Sequence, residues 1–241
     1  MKKMILLAVS LVASYLGTGS ANLQRVDQPD SRFTIANKII VIQSDIVIYG
    51  KGATRQITQT IRENILKYWA FNPDGNAWQY WDEESQSQFT VKFDVRVSLY
   101  QGLERNEPRI IPEAWDPTNR KNYIEVVQGR TRAFVMMGDE GVWSNPPSRE
   151  QTYAHEYGHL LGFSDRYSDG ANGYSVVNRG WDGNIMGAEG IVEQRNIDAL
   201  MARVMEKYRS SPTYFFSDKA LRDQGEAIYH RGALNNSISN L

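Results

Sequence analysis

A histidine pair and a glutamate between residues 155 and 165 have the types and spacing to do chemistry at a metal ion. His155 and His159 lie four residues apart, so on a helix both imidazoles project from one face, one turn apart. Both ring nitrogens can then reach one tetrahedral zinc ion at about 2.0–2.1 Å. Glu156 is displaced around the helix from that face and can take a proton from a metal-activated water. The spacing therefore predicts a metal site with its own general base.

Asp165 is the predicted third ligand of this site. Gly162 can adopt a positive φ, which allows the chain to leave the helix sharply and bring Asp165 back to the metal. A carboxylate oxygen binds zinc at about the same length as an imidazole nitrogen. The chain holds only three histidines, and His230 lies far downstream in a polar tail, where we expect it to be exposed. The alternative, a helix with ordinary surface histidines, requires chance assembly of the whole pattern.

The pattern His-Glu-x-x-His-x-x-Gly-x-x-Asp resembles the motif of the metzincin zinc peptidases, in the aspartate variant found in the snapalysins. A second mark of that clan is a methionine on a tight turn beneath the metal. Met186, in the string Asn184-Ile185-Met186-Gly187, is similarly placed a short loop after Asp165 and before the helix-forming run 192–208. Some metzincins carry a tyrosine two residues after the methionine, but Ala188 stands there, so no such metal contact is implied.

The resemblance covers roughly residues 38–208 in the order of elements, whereas its specific motifs lie within residues 155–187. It implies an α/β (α+β) fold of the metzincin-like zincin type, with a twisted mixed sheet over an active-site helix and a C-terminal helix. It also implies one catalytic zinc ion, held by His155, His159 and Asp165, with Met186 as a structural residue of the turn.

The implied function is that of an exported zinc-dependent endopeptidase, which hydrolyses peptide bonds with Glu156 as general base. No nucleophilic side chain is required, and the chain has no cysteine. Two alternatives stay open: a secreted effector or toxin protease with a narrow target, and a zinc-retaining peptide-binding module without catalysis. Retention of Glu156 beside all three ligands argues against the binding module.

Periodic apolar residues predict the elements that must position this site. The predicted order is strand 39–49, helix 54–70, strand 89–99, short strands 123–127 and 133–137, the metal helix, and helix 192–208. We expect the two short strands to form a hairpin or a neighbouring pair. Residues 138–147 are predicted as a loop, with Ser148 as the N-cap of the metal helix.

Two segments are candidates for substrate binding. In peptidases of the resembling clan an extended substrate adds antiparallel to the sheet edge that faces the cleft. We assign that edge to the segment 133–137, with Ala133, Phe134 and Val135 as substrate contacts, or to the loop that follows it as far as Trp143. The equal alternative is that 133–137 is an ordinary sheet strand that binds no substrate. The segment 166–183 could form a wall of the cleft. Its aromatic and apolar residues could line a substrate pocket or, as an equal alternative, pack inside the part of the domain below the cleft: Tyr167, Tyr174, Val176, Val177 and Trp181.

Composition is that of one globular domain. The chain has 241 residues, of which 41% are hydrophobic, and a formal net charge of −1. The chain has no excess of basic residues that would indicate binding to nucleic acid. The absence of cysteine excludes disulfide bonds and a latency switch based on a thiol. The expected partner is a protein or peptide substrate; the oligomeric state is open, and we assume a monomer.

The first 21 residues have the pattern of a secretory signal peptide. Lys2 and Lys3 precede an apolar run, 4–16, which is shorter than the roughly 20 residues that span a bilayer. Cleavage after Ala21 predicts a secreted or periplasmic protein without a membrane anchor; an uncleaved anchor is the alternative. Next we expect a leader or short propeptide, 22–37, then the catalytic domain, 38–208, and a C-terminal extension, 209–241.

Overall fold

The computed structural model describes residues 32–100, 121–136, 140–170, 175–187 and 189–210. These residues form a mixed α/β fold in which three helices accompany a curled, mixed sheet of seven strands. Two further sheets have two strands each. The coarse prediction of an α/β (α+β) fold with a mixed sheet and helices is confirmed.

The strands and the helices are each numbered in chain order. The strands are β1 (Arg32–Ala36), β2 (Ile39–Tyr49), β3 (Trp78–Asp82), β4 (Ser87–Leu99), β5 (Lys121–Gln128), β6 (Phe134–Met136), β7 (Glu140–Asn145), β8 (Tyr167–Asp169), β9 (Ser175–Val177), β10 (Gly183–Asn184) and β11 (Gly190–Ile191). The helices are α1 (Arg55–Trp69), α2 (Thr152–Leu160) and α3 (Gln194–Ser210).

The large sheet has the order β3-β4-β2-β5-β7-β6. Its central neighbours, β4 with β2, β2 with β5, and β5 with β7, are parallel, whereas β3 and β6 run antiparallel to the strands they flank. β1 pairs antiparallel with the first half of β2, and β5 pairs with its second half, so both lie on the side of β2 opposite β4. The sheet thus ends, within the described residues, on antiparallel strands at both edges.

Predictions based on strong periodicity are confirmed. β2 covers the predicted residues, with Ile40, Ile42, Ile46 and Ile48 almost fully buried at alternating positions. α1 lies within the predicted range, begins after Thr54, whose hydroxyl accepts a hydrogen bond from the Ile57 amide, and buries residues spaced by four. β4 and α3 also lie within two residues of their predicted bounds.

The expected hairpin or neighbouring pair of strands after residue 121 is wrong. β7 lies between β5 and β6, inside the segment that was predicted as a loop. Gly141 and the prolines after Asn145 are turn signals, but between them Trp143 and Ser144 are fully buried. Burial of these residues in the centre of the domain outweighs the local turn signals, and the loop becomes a sheet strand.

Two more strands lie where no strand was predicted. β1 occupies part of the segment 22–37, and its Phe33 and Ile35 are buried in the main core. β3 lies in the turn-rich stretch before β4, and Trp78 at its start is buried. Both strands are short, and each gains its stability from pairing with a long neighbour, a contact that local periodicity does not reveal.

Several sequence predictions lie outside the described residues. They are the signal peptide 1–21, the leader before residue 32, Met137, Tyr174, Ala188, His230 and the extension beyond residue 210. Within the described ranges, no helix has both the length and the apolar character needed to cross a bilayer.

Candidate metal centre

The three predicted ligands converge on one point. The Oδ1 atom of Asp165 lies 3.1 Å from Nε2 of His155 and 3.3 Å from Nε2 of His159. The candidate ligand atoms of the three residues all lie within 4.8 Å of one another. Both histidine side chains are mostly buried, with 12% and 17% exposed, whereas Asp165 is 38% exposed. The group could hold a metal ion that remains accessible from solvent.

Backbone carbonyls determine how the two imidazoles face the site. Nδ1 of His155 lies 2.6 Å from the carbonyl oxygen of Ile185, and Nδ1 of His159 lies 2.7 Å from that of Phe163. A carbonyl only accepts, so each Nδ1 donates its proton, and in the neutral ring Nε2 then presents a lone pair to Asp165. Two nitrogen lone pairs and a carboxylate oxygen are all acceptors. A group of this kind is suited to bind a cation between its members.

Contacts within this group also shift the pKa values of Asp165 and His159. Burial disfavours the ionised carboxylate of Asp165. An imidazole that is protonated at both nitrogens donates from Nε2 to this carboxylate, and such hydrogen bonds and charges of His155 and His159 outweigh burial, so the pKa of Asp165 lies well below its usual range. Burial also disfavours the protonated ring of His159, but its hydrogen bond to Asp165 and the charge of Glu156 raise its pKa. The carboxylate is therefore held in the ionised form in which it can bind a cation.

A glycine turn brings Asp165 to the histidines, as the sequence predicted. Gly162 has a φ of +83°, and its amide donates to the carbonyl of His159 at 2.8 Å. The amide of Phe163 donates to the carbonyl of Gly158 at 3.0 Å, which closes the end of α2. A residue with a Cβ resists that φ, so the reversal depends on glycine at this position.

The turn that contains Met186 lies against α2, next to His155. Met186 and Ile185 are fully buried, and the carbonyl of Ile185 is the one that accepts from the His155 ring. A Cβ placed on Gly158 would lie 2.3 Å from the sulfur of Met186. Only glycine therefore lets α2 pack this closely on the turn.

A buried amide network, which was not predicted from the sequence, holds this turn. The side chain of Asn184 accepts from the Met186 amide at 2.9 Å and donates to Glu193 at 2.6 Å and Asn196 at 2.8 Å. Asn196 in turn accepts from the Glu193 amide at 2.9 Å. Asparagine in a turn is a common local signal, but nothing in the sequence marks its pairing with the first turn of α3.

The metal helix starts later than predicted. α2 begins at Thr152, and neither Ser148 nor Gln151 caps it in the expected way. Instead, Oδ1 of Asn64 in α1 accepts a hydrogen bond from the Ala154 amide at 3.2 Å. The ring nitrogen of Trp69, also in α1, donates to the Ala154 carbonyl at 2.9 Å. The neighbouring helix thus supplies the cap that local sequence was expected to supply.

Glu156 is buried beside the ligands, with only 5% of the residue exposed. Burial raises the pKa of its carboxyl group, and the nearby His159 and His155 partly oppose this effect. Its Oε2 atom makes no hydrogen bond with any part of the chain that the structure describes. A buried carboxylate with an uncommitted oxygen next to a candidate metal centre can accept and return a proton.

A cleft of about 470 Å³ opens over His155 and Glu156. Ala133 and Tyr167 contribute to its lining, and the Tyr167 ring centroid lies 6.0 Å from that of His155. Its charged rim was not predicted and consists largely of arginines on two loops: Arg130, Arg132 and Arg149. Arginines scattered singly in a sequence give no signal that they meet around one cleft.

No family model, curated protein or solved structure gives a significant match to this chain.

The proposed substrate contacts are not all brought to the cleft. β6 lies at the sheet edge, but Val135 packs against the core and Phe134 is 39% exposed; neither contributes to the described cleft lining, whereas Ala133 does. Trp181 lies between two guanidinium groups, at 4.7 Å from that of Arg166 and 4.1 Å from that of Arg195. It also falls outside the described lining. Tyr174 is not among the described residues.

Proposed function

We propose that the chain is an exported zinc-dependent endopeptidase of the metzincin type. The observation that carries the proposal is the convergence of three acceptor groups, with both imidazole Nδ1 atoms engaged by carbonyls, beside the buried Glu156, which lines an open cleft together with His155. The motif from His155 to Asp165, the buried Met186 under α2, and the antiparallel edge strand β6 support the family assignment.

The donor set favours zinc among the common divalent ions. Two imidazole nitrogens and one carboxylate oxygen are a known ligand set of catalytic zinc sites, which keep one further position open. Calcium and magnesium prefer all-oxygen sites. When bound, zinc supplies a Lewis acid that lowers the pKa of water from about 15.7 towards about 7 and polarises a carbonyl group.

Glu156 is the proposed general base and acid. Burial raises the pKa of its carboxyl group, and the residue contributes to the lining of the cleft beside His155. It takes a proton from the water that attacks the scissile carbonyl and passes it to the leaving amine. No serine or cysteine nucleophile is needed, and the chain contains no cysteine.

Export to the periplasm or the medium is proposed from the segment 1–21, with its two lysines, apolar run and small residues. Cleavage after Ala21 would remove this apolar segment, and a protein or peptide would be the substrate of the released protein.

The test uses protein purified after export. We expect about one zinc per chain by elemental analysis and cleavage of an unstructured protein such as casein. A chelator should abolish cleavage, and Glu156→Ala should abolish cleavage while zinc remains bound. Zinc at about one per chain without cleavage of any member of a broad peptide library would favour the binding-module alternative, and absence of bound zinc would refute both.

A further inference from the structure

We propose that the cleft selects peptides with an acidic side chain, Asp or Glu, next to the scissile bond. This inference rests on the proposed peptidase function and names its substrate class. It is carried by Arg130, Arg132 and Arg149, which line the same cleft as His155 and Glu156.

The arginines reach the cleft from two different parts of the fold. Arg130 and Arg132 belong to the segment that leads from β5 into the edge strand β6. Arg149 belongs to the segment that precedes α2. A peptide in the cleft would therefore meet guanidinium groups from both segments, and that of Arg130 has no carboxylate partner among the described residues.

Acidic groups of the described cleft lining leave Arg130 without a carboxylate partner. They are Glu156, the proposed base, and Asp169, which pairs with Arg132 at 2.7 Å. Arg149 pairs with Glu189 at 3.2 Å. Asp165 is a proposed ligand, and its negative charge would be offset by a bound divalent ion.

Arg130 is the side chain that is available to a substrate. It is exposed, and among the described residues it makes no ion pair or side-chain hydrogen bond. A guanidinium group offers a planar fork of donors that matches a carboxylate. Removing Arg132 or Arg149 would also free an acidic partner and add negative charge, so Arg130→Gln is the clean substitution.

The first experiment digests a proteome-derived peptide library and identifies the cleaved bonds by mass spectrometry. We expect Asp and Glu to be enriched at one position beside the cleaved bond. One exposed ion pair changes affinity by about 1.5- to 5-fold, so we expect Arg130→Gln to lower that enrichment by about this factor. Arg55→Gln is the control, because Arg55 is exposed on α1 and lies outside the described lining of the cleft.

The second experiment measures binding without turnover. Zinc-loaded Glu156→Gln protein is titrated into three fluorescein-labelled, alanine-rich peptides that differ only in a central Glu, Gln or Lys. We expect affinity in the order Glu, Gln, Lys. The difference should shrink as salt is raised from about 0.1 to 1 M, because the Debye length falls from about 10 to 3 Å. It should also shrink when Arg130→Gln is added.

The outcomes separate this inference from the proposed function. Cleavage without acidic enrichment, equal binding of the Glu and Lys peptides, or a preference that Arg130→Gln leaves intact would each overturn the inference. A preference in binding without cleavage by the wild type would sustain charge selection and refute the peptidase.

Discussion

At the scale of single residues, the candidate site depends on hydrogen bonds that orient the proposed ligands. The carbonyls of Ile185 and Phe163 hold the Nδ1 atoms of His155 and His159, so both Nε2 atoms face Asp165. Partners of this kind determine the tautomer and the ring orientation of a metal-binding histidine. The glycines at 158 and 162 make room for the turn and for the chain reversal that complete the site.

Asp165→Ala should weaken zinc binding at least about 100-fold, because loss of an outer hydrogen-bond partner alone costs about 10- to 100-fold. Competition with a chromophoric chelator measures the affinity. Asp74→Ala is the control, since Asp74 is exposed in a turn far along the chain from the site. Full zinc affinity in Asp165→Ala would show that another group is the third ligand.

Gly158→Ala should destabilise the protein by about 1–3 kcal/mol, because its Cβ would overlap the buried sulfur of Met186 at 2.3 Å. Urea unfolding measures the loss. The double variant Gly158→Ala with Met186→Ala should lose less than the sum of the single losses, because the two side chains compete for one space. Additive losses would contradict this packing.

At the scale of elements, α2 is held in place mainly by its neighbours. Asn64 and Trp69 of α1 bond to the backbone of Ala154, and the hydroxyl of Tyr157 lies 2.7 Å from that of Ser44 in β2. α2 has only nine residues, a length that is marginal for a helix without tertiary contacts. Its orientation, and with it the direction of the ligands, is therefore a property of the packed domain.

Asn64→Ala should cost about 0.5–2 kcal/mol of stability, the usual range for loss of a helix cap, and should also weaken zinc binding. Urea unfolding and chelator competition measure the two effects. Asn64→Asp keeps the acceptor and should lose less, and Gln59→Ala, on the exposed side of the same helix, is the control. If Asn64→Ala and Gln59→Ala behave alike, α1 does not cap α2.

At the scale of the whole molecule, edge strands and the last helix close the domain. The buried Asp82 at the end of β3 accepts hydrogen bonds from Ser85 at 2.5 Å and from Arg209 of α3 at 2.6 Å. At the other side of β2, the strand β1 buries Phe33 and Ile35 in the same core that supports α2. Residues distant from the cleft thus contribute to the packing of the domain that contains it.

Asp82 should make stability depend on pH in the acid range. Its burial favours the neutral form, but hydrogen bonds from Ser85 and Arg209 outweigh this and lower its pKa from the ordinary 3.8. Because the folded pKa is depressed, the stabilisation is present above about pH 4 and is lost as pH falls through the folded value. Asp82→Asn should flatten this acid slope in urea unfolding, and Asp74→Asn should not; equal slopes in wild type and Asp82→Asn would contradict the assignment.

A protein that begins at residue 38 should be less stable than one that begins at residue 22, because it lacks Phe33 and Ile35. Burial of each side chain contributes about 1.5–3 kcal/mol. Thermal unfolding of the two forms measures the difference. The predicted leader thus includes a strand of the domain, and equal stability of both forms would mean that β1 is dispensable.

Much of this molecule can be predicted from the sequence, because local spacing determines it. The four-residue interval between the histidines, the glycine turn before Asp165, and the alternating residues of β2 and β4 each act within a few positions of the chain. Hence the convergence of His155, His159 and Asp165 and the bounds of the main elements follow from local spacing.

Only the tertiary structure decided which distant segments meet. The insertion of β7 between β5 and β6, the cap from Asn64, the amide network of Asn184 and the arginines around the cleft all join residues far apart in sequence. Such contacts form where burial of apolar surface places them, and burial depends on the whole packed domain. A single sequence displays the local preferences of each segment, but the partner of each segment is selected by the core they share.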